Sequence, residues 1–173
     1  MYTTTSYYMA IATITVLLFI LYPITVTITS FYFYGMDSSS FEDMLAWMGI
    51  LMLAAIAGGF WGFSFGTFMK NEVVATQLNM LFLIIYSFGA GIYANTGDGM
   101  NFLVRFIHYV SPLRYSTELL VSRVLTEKAG GEFVLEKFGY TWGNVTCIML
   151  LISWAFACFL VGWISLLWRT RNF

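Results

Sequence analysis

Charged side chains are scarce in this sequence: aspartate, glutamate, lysine and arginine make up 10% of its 173 residues, against roughly a quarter in soluble domains. Hydrophobic residues make up 60%, which is more apolar surface than so few charges can shield from water. The eight basic and nine acidic residues form no run of either sign, so nothing indicates a nucleic-acid partner or a polybasic lipid-binding tail. These absences exclude a soluble domain and indicate an integral membrane protein.

Cysteine and histidine are also too few to predict a metal site. Cys147 and Cys158 lie in one apolar run, about 16 Å apart along a helix, which is too far for a disulfide. We interpret both as small buried hydrophobic residues. The single histidine, His108, has no potential ligand at a metal spacing, and an interfacial hydrogen-bonding role fits it better than that of a metal ligand or a base.

Nucleotide-binding motifs are missing as well. No segment matches the P-loop pattern G-x-x-x-x-G-K-[ST], whose backbone amides hold phosphates. The glycine-rich run 89–99 neither follows a βαβ strand nor opens a soluble helix, and the simpler interpretation is the exit from a membrane span. We therefore predict that the chain is not an enzyme and has no catalytic residue, no metal and no cofactor of its own.

Four apolar stretches are long enough to cross the hydrocarbon core of a bilayer, which takes about 20 helical residues. They cover approximately 7–34, 46–69, 73–93 and 145–168. In the first, threonines alternate with apolar residues as they would in a strand, but the other runs are far longer than the roughly 9–11 residues of a barrel strand. The sequence thus favours helices, in which threonine hydroxyls can bond back to the preceding turn, and Pro23 predicts a kink.

The segment 94–144, before the last span, holds two short amphipathic pieces that meet at Ser111-Pro112. Each piece is too short and too charged to span a membrane, so we expect a re-entrant or interfacial helical hairpin. Proline has no N–H and disfavours helix in the residue before it. One helix should therefore end at Val110 or Ser111, and the next should begin at Pro112.

Two charged residues of the second piece are spaced to pair. Arg114 and Glu118 lie four residues apart, on the same face of a helix, and an ion pair lowers the cost of holding charges near lipid. The alternative is that both are solvated charges on a loop.

The charge distribution predicts a topology. The acidic linker 35–43 is expected outside, and Lys70, Arg169 and Arg171 on the cytoplasmic side. This places 94–144 outside, although five of the eight basic residues lie there, which argues for the opposite orientation. The predicted fold is an all-α integral membrane protein with one domain over residues 1–173, made of four transmembrane helices and the external re-entrant or interfacial hairpin before the last span.

The order of these pieces resembles the membrane half of G-subfamily (White/ABCG-like) ABC transporters, within the ABC-2 permease class. The run "GIYAN" (91–95) and, after a spacer, the run "RFIHYVSPLRYSTELLVSRVL" (105–125) carry the resemblance. The residues in register with the family's pattern are Gly91, Asn95, Tyr109, Ser111, Pro112, Arg114, Tyr115, Glu118 and Leu120. The resemblance covers nearly the whole chain and corresponds to spans three to six of six.

In that family, residues of the fifth span face the substrate, and a pair of leucines forms a valve. By position, the substrate-facing role would fall on Leu83, Ile84 and Ser87, and the valve on Ile92 and Tyr93. Only apolar character is kept at these positions, so the resemblance does not identify a substrate.

The function implied by the resemblance is the permease portion of an ATP-driven exporter of lipids or apolar compounds. Its partners would be membrane lipids, an ATP-binding subunit or domain that holds ATP and Mg²⁺, and a second permease half. The Ser-Pro-x-Arg-Tyr corner would turn the chain back as a hairpin that covers the exit. A plasma-membrane location is expected, with an organellar membrane as the alternative.

This sequence also departs from the family. The ATPase domain, the connector helix, the first two spans and the coupling helix have no counterpart in it, and Arg105 stands where the family usually carries an aromatic residue. The second hypothesis is therefore a non-transporting structural or accessory subunit that retains a permease-derived fold within a larger membrane complex.

Overall fold

The computed structural model describes residues 3–34, 41–91, 102–125, 130–140 and 142–171. Within these ranges the chain forms seven α-helices and no strand. The helices are α1 Thr4–Tyr34, α2 Phe41–Phe68, α3 Glu72–Gly89, α4 Phe102–Val110, α5 Pro112–Leu125, α6 Gly131–Lys137 and α7 Asn144–Arg171.

Helices α1, α2, α3 and α7 are long and apolar enough to cross a membrane. They confirm the all-α membrane fold, and α1, α2 and α7 correspond to the predicted spans 7–34, 46–69 and 145–168 with ends shifted by a few residues. The third span, predicted over 73–93, is shorter, because α3 ends at Gly89. The glycine that follows shortly after, Gly91, has a φ of 83°, a left-handed conformation that terminates helices.

The strand-like threonine pattern of the first span is helical, and two of its hydroxyls bond back to their own helix, whereas the buried Thr27 Oγ1 has no hydrogen-bond partner among the described residues. Thr25 Oγ1 donates to the carbonyl of Tyr22 at 2.8 Å, and Thr29 Oγ1 donates to the carbonyl of Thr25 at 2.7 Å. In hydrocarbon such bonds satisfy hydroxyls that no water can reach. Pro23 lies inside α1; the kink expected there stays a prediction.

The chain divides into two compact units, residues 1–75 with 154–173 and residues 76–153. The first unit contains α1, α2 and most of α7. The second unit contains most of α3, the helices α4, α5 and α6, and the first part of α7. The sequence-predicted hairpin residues 109–118 all fall in the second unit.

A buried polar contact joins the three long helices of the first unit. The Tyr8 hydroxyl of α1 donates to the carbonyl of Phe159 of α7 at 2.6 Å, and the Tyr8 ring packs against Phe63 of α2 at 5.0 Å. Ser64 of α2 donates to the carbonyl of Cys158 of α7. Helices in a bilayer associate through close packing and hydrogen bonds of this kind, since lipid tails are as apolar as the helices themselves.

Gly162 makes this packing possible, which gives a first prediction. A Cβ on Gly162 would lie 2.6 Å from Tyr8 Oη and 3.1 Å from Ser64 Oγ, whereas one on Gly49 of α2 would meet nothing within 4 Å. We expect Gly162→Ala to lower the stability by about 1–3 kcal/mol through overpacking, and Gly49→Ala to leave it unchanged or slightly raised. Thermal unfolding in detergent measures both, and equal melting temperatures would contradict the expectation.

Candidate functional site

The last backbone carbonyls of α3 keep hydrogen-bonding capacity that the helix does not fill, as at every helix end, although the carbonyl of Tyr86 also accepts from the amide of Ala90 at 2.8 Å. Three side chains from later in the chain supply donors. Ser111 Oγ donates to the carbonyl of Tyr86 at 2.9 Å and His108 Nδ1 to the carbonyl of Gly89 at 2.7 Å. The Tyr140 hydroxyl donates to the carbonyl of Ala90. Ser111 and His108 are almost completely buried, so these bonds form where water cannot replace them.

Helix α4 lies directly against this end of α3. A Cβ on Gly89 would come within 2.8 Å of Ile107 Cγ2 and 3.0 Å of the Ile107 carbonyl oxygen. Only a glycine permits so close an approach between the two backbones. The position of α4, and of the corner that follows it, therefore depends on Gly89.

The corner at Ser111-Pro112 forms as the sequence predicts. Helix α4 ends at Val110 and α5 begins at Pro112. The amide of Ser111 still donates to the carbonyl of Ile107 at 2.9 Å, and the amide of Arg114 donates to the carbonyl of Ser111 at 3.3 Å. Proline at the first helical position costs no hydrogen bond, because that N–H would have no partner in the helix.

Arg114 and Glu118 form the predicted ion pair, with 3.8 Å between Arg114 Nε and Glu118 Oε2. Both residues are 1% exposed, so the alternative of solvated loop charges is wrong. Each also binds the backbone of the segment before α7: Arg114 Nη2 donates to the carbonyl of Gly139 at 3.2 Å, and the amide of Trp142 donates to Glu118 Oε1 at 2.6 Å.

Three aromatic rings surround the guanidinium. Its central carbon lies 5.1 Å from the ring centroid of Tyr109, 5.7 Å from that of Tyr115 and 5.2 Å from that of Trp142. Cation–π attraction at these distances offsets part of the cost of removing the charge from water. We call Arg114, Glu118, Tyr109, Tyr115 and Trp142 the arginine cage.

The electrostatics of the cage reflect its burial. Desolvation raises the pKa of Glu118, against the opposing effects of the Trp142 amide, of Arg114 and of the Cys147 thiol. In the described part of the chain, Arg114 Nε, Arg114 Nη1 and Glu118 Oε2 have no hydrogen-bond partner. A half-satisfied buried pair of this kind adds little net stability, but it is strongly destabilising to break. The cage therefore fixes α5 to the segment leading into α7.

The residues expected to face substrate lie on α3. Leu83 and Ile84 are 42% and 56% exposed, and the hydroxyl of Ser87 donates to the carbonyl of Leu83 within the same helix at 2.8 Å. These three residues share one side of α3 by their helical spacing. The valve positions Ile92 and Tyr93, and the motif residue Asn95, lie outside the described residues.

The remaining motif residues come together just beyond the end of α3. Gly91 follows the helix, and the corner and the cage are formed by Tyr109, Ser111, Pro112, Arg114, Tyr115 and Glu118. The partners on the other side of the cage, Gly139, Tyr140 and Trp142, were not identified from sequence. The sequence offers one signal for these partners, which is a glycine at 139 close to the aromatic residues Tyr140 and Trp142. In the structure Gly139 has a φ of 71°, a conformation that favours glycine.

Comparison with protein families agrees with this architecture. Residues 1–125 match the ABC-2 type transporter family, a range that runs from α1 to the end of α5 and includes the whole corner. No individual curated protein matches the chain. The chain belongs to the ABC-2 type transporter family. It is thus a membrane-embedded permease component of an ABC transporter, a class of protein that associates with an ATP-binding partner.

Removing the cage arginine gives a second prediction. We expect Arg114→Ala to destabilise the protein by about 3–5 kcal/mol, because Glu118 is left buried without its partner. Arg123→Ala, on the exposed part of the same helix, is the matched control and should change stability little. The double variant Arg114→Met with Glu118→Gln should recover part of the loss. Melting temperatures in detergent test this order, and an Arg114→Ala protein as stable as Arg123→Ala would refute it.

A third prediction concerns pH. Burial lowers the pKa of His108 from 6.5, the Gly89 hydrogen bond opposes this shift, and the charge of Arg114 adds to it. The unfolded chain therefore takes up the proton first, so the stability due to His108 is fully present above about pH 6.5 and is lost as the pH falls through the folded pKa.

The difference in melting temperature between wild type and His108→Asn, measured from neutral to mildly acidic pH, isolates this effect. The raised pKa of Glu118 works in the opposite direction, but it is present in both proteins and cancels. Wild type should lose more stability on acidification than His108→Asn does. Parallel pH profiles would contradict the prediction.

Proposed function

We propose that this chain is the pathway-bearing part of a G-subfamily-like permease, in an ATP-driven exporter of lipids or other apolar compounds. The observation that carries the proposal is the corner of residues 108–118, held against the end of α3 inside the region that matches the ABC-2 type transporter family. A second permease half would complete the pathway, and ATP and Mg²⁺ would bind on the partner domain.

The nature of the exposed side of α3 supports an apolar cargo. Exposed residues along it include Met80, Leu81, Leu83, Ile84 and Phe88. Among the proposed pathway residues that the structure describes, the hydroxyl of Ser87 is already bonded to its own helix. The stretch 80–88 of α3 thus offers van der Waals contact to a lipid or an apolar compound, while the exposed polar residues Thr76 and Gln77 lie nearer the start of the helix.

The rigidity of the hairpin supports a role as a cover at one end of the pathway. Four points fix it: the carbonyls of Tyr86 and Gly89 on α3, and the Gly139 and Trp142 backbone beyond it. In the proposed topology this end lies outside, at the plasma membrane, and the hairpin covers the exit. Closure of the ATP-binding domains would drive cargo along α3 toward it.

A pair of matched substitutions tests the pathway and gives a fourth prediction. Ile84 of α3 and Ile14 of α1 are 56% and 57% exposed, so tryptophan fits equally well at either position in the isolated chain. With the ATP-binding partner in liposomes, we expect Ile84→Trp to reduce ATP-dependent export of a fluorescent phospholipid analogue several-fold, because the added ring obstructs the pathway. Ile14→Trp should export normally.

The outcomes separate the two hypotheses for this chain. Equal export by both variants would remove α3 from the pathway. If the wild-type chain is isolated in a stable complex that contains no ATPase and moves no lipid, the structural-subunit hypothesis replaces the transporter.

A further inference from the structure

Helix α4 has two distinct faces. The inner face carries Ile107 and His108, which contact the end of α3. The outer face carries Phe102, Arg105, Phe106 and Tyr109, spaced as one stripe along the helix; the ring of Tyr109 also packs against the Arg114 guanidinium of the cage. Phe102, Phe106 and Tyr109 are 81%, 60% and 48% exposed, and Arg105 is also exposed. We call these four residues the aromatic stripe.

The attachment of α4 to α3 places the aromatic stripe at a membrane boundary. Helix α3 has 18 residues, a length of roughly 27 Å, close to the 30 Å or so of the hydrocarbon core. Its two ends therefore coincide with the two edges of that core. Since α4 packs on the C-terminal end through Ile107 and Gly89, its outer face lies at the level where acyl chains meet headgroups.

Among the residues that the structure describes, no acidic side chain pairs with the charge of α4. The sequence of the helix, FLVRFIHYV, contains no acidic residue, and Arg105 forms no salt bridge within the described parts of the chain. The nearest described carboxylate along the chain, Glu118, is buried against Arg114. An exposed guanidinium flanked by phenylalanines at the edge of the bilayer complements a phosphate group above acyl chains.

We propose that the aromatic stripe binds an anionic phospholipid of the adjoining leaflet, with the Arg105 guanidinium on its phosphate and Phe102 and Phe106 among the upper acyl carbons. Arginine and aromatic residues divide their polar and apolar parts in this way at membrane interfaces. A protein partner would suit the apolar residues, but the position at the edge of the bilayer puts lipid beside the stripe. The proposal does not depend on transport activity.

The experiment uses the full chain, purified and placed in nanodiscs of phosphatidylcholine with a minor fraction of phosphatidylglycerol. Native mass spectrometry after mild extraction measures retained phosphatidylglycerol. We expect Arg105→Gln to reduce retention roughly fivefold, as for the loss of one cation at an anionic surface. Arg105→Lys should retain most of it, and Arg123→Gln, the matched control on α5, should bind as wild type does.

A second measurement keeps the proposal testable if a variant is unstable. A photo-crosslinking amino acid in place of Phe102 should couple to phospholipid in otherwise wild-type protein. Coupling to another protein or to a second copy of this chain, with no lipid adduct, would overturn the proposal. Undiminished retention of phosphatidylglycerol by folded Arg105→Gln would also overturn it.

Discussion

The buried pair of Arg114 and Glu118 is the interaction on which the second unit of the chain depends. Removing both charges from water is costly, and the surrounding structure meets that cost with the Trp142 amide on the carboxylate and three aromatic rings around the guanidinium. Because these partners come from α4, from α5 and from the segment before α7, the pair holds together elements that are far apart in sequence. A pair in this setting specifies one arrangement of the hairpin more than it stabilises it.

The same region also supplies hydrogen-bond partners to the backbone carbonyls of a helix end, which every helix end in a membrane requires. Backbone groups at the edge of the hydrocarbon cannot rely on water, and the carbonyls at the end of α3 receive donors from Ser111, His108 and Tyr140 instead. The hairpin therefore does more than follow α3 along the chain. It supplies hydrogen-bond donors to the end of α3.

Local chemistry explains which of these features the sequence predicts. The corner follows from the missing N–H of Pro112 and its effect on the residue before it, and the Arg114–Glu118 pair follows from helical spacing. The early end of α3 is harder to predict, because apolar residues continue to Tyr93 and a glycine after the helix is only one signal among several in that run. The partners Gly139, Tyr140 and Trp142 meet the hairpin through tertiary contacts across more than twenty residues, which no spacing rule encodes.

The length of α3 has a consequence for the bilayer itself. Asn71 caps its first turn through the amide of Val73 at 3.0 Å, and the hairpin closes its other end, so this helix cannot lengthen at either terminus. Helix α1, with 31 residues, can adapt to a thick membrane by changing its tilt, but α3 is too short to do so. Hydrophobic mismatch is therefore concentrated at α3: a bilayer thicker than this helix must thin around it, and lipid chain length becomes a variable to which this side of the protein responds.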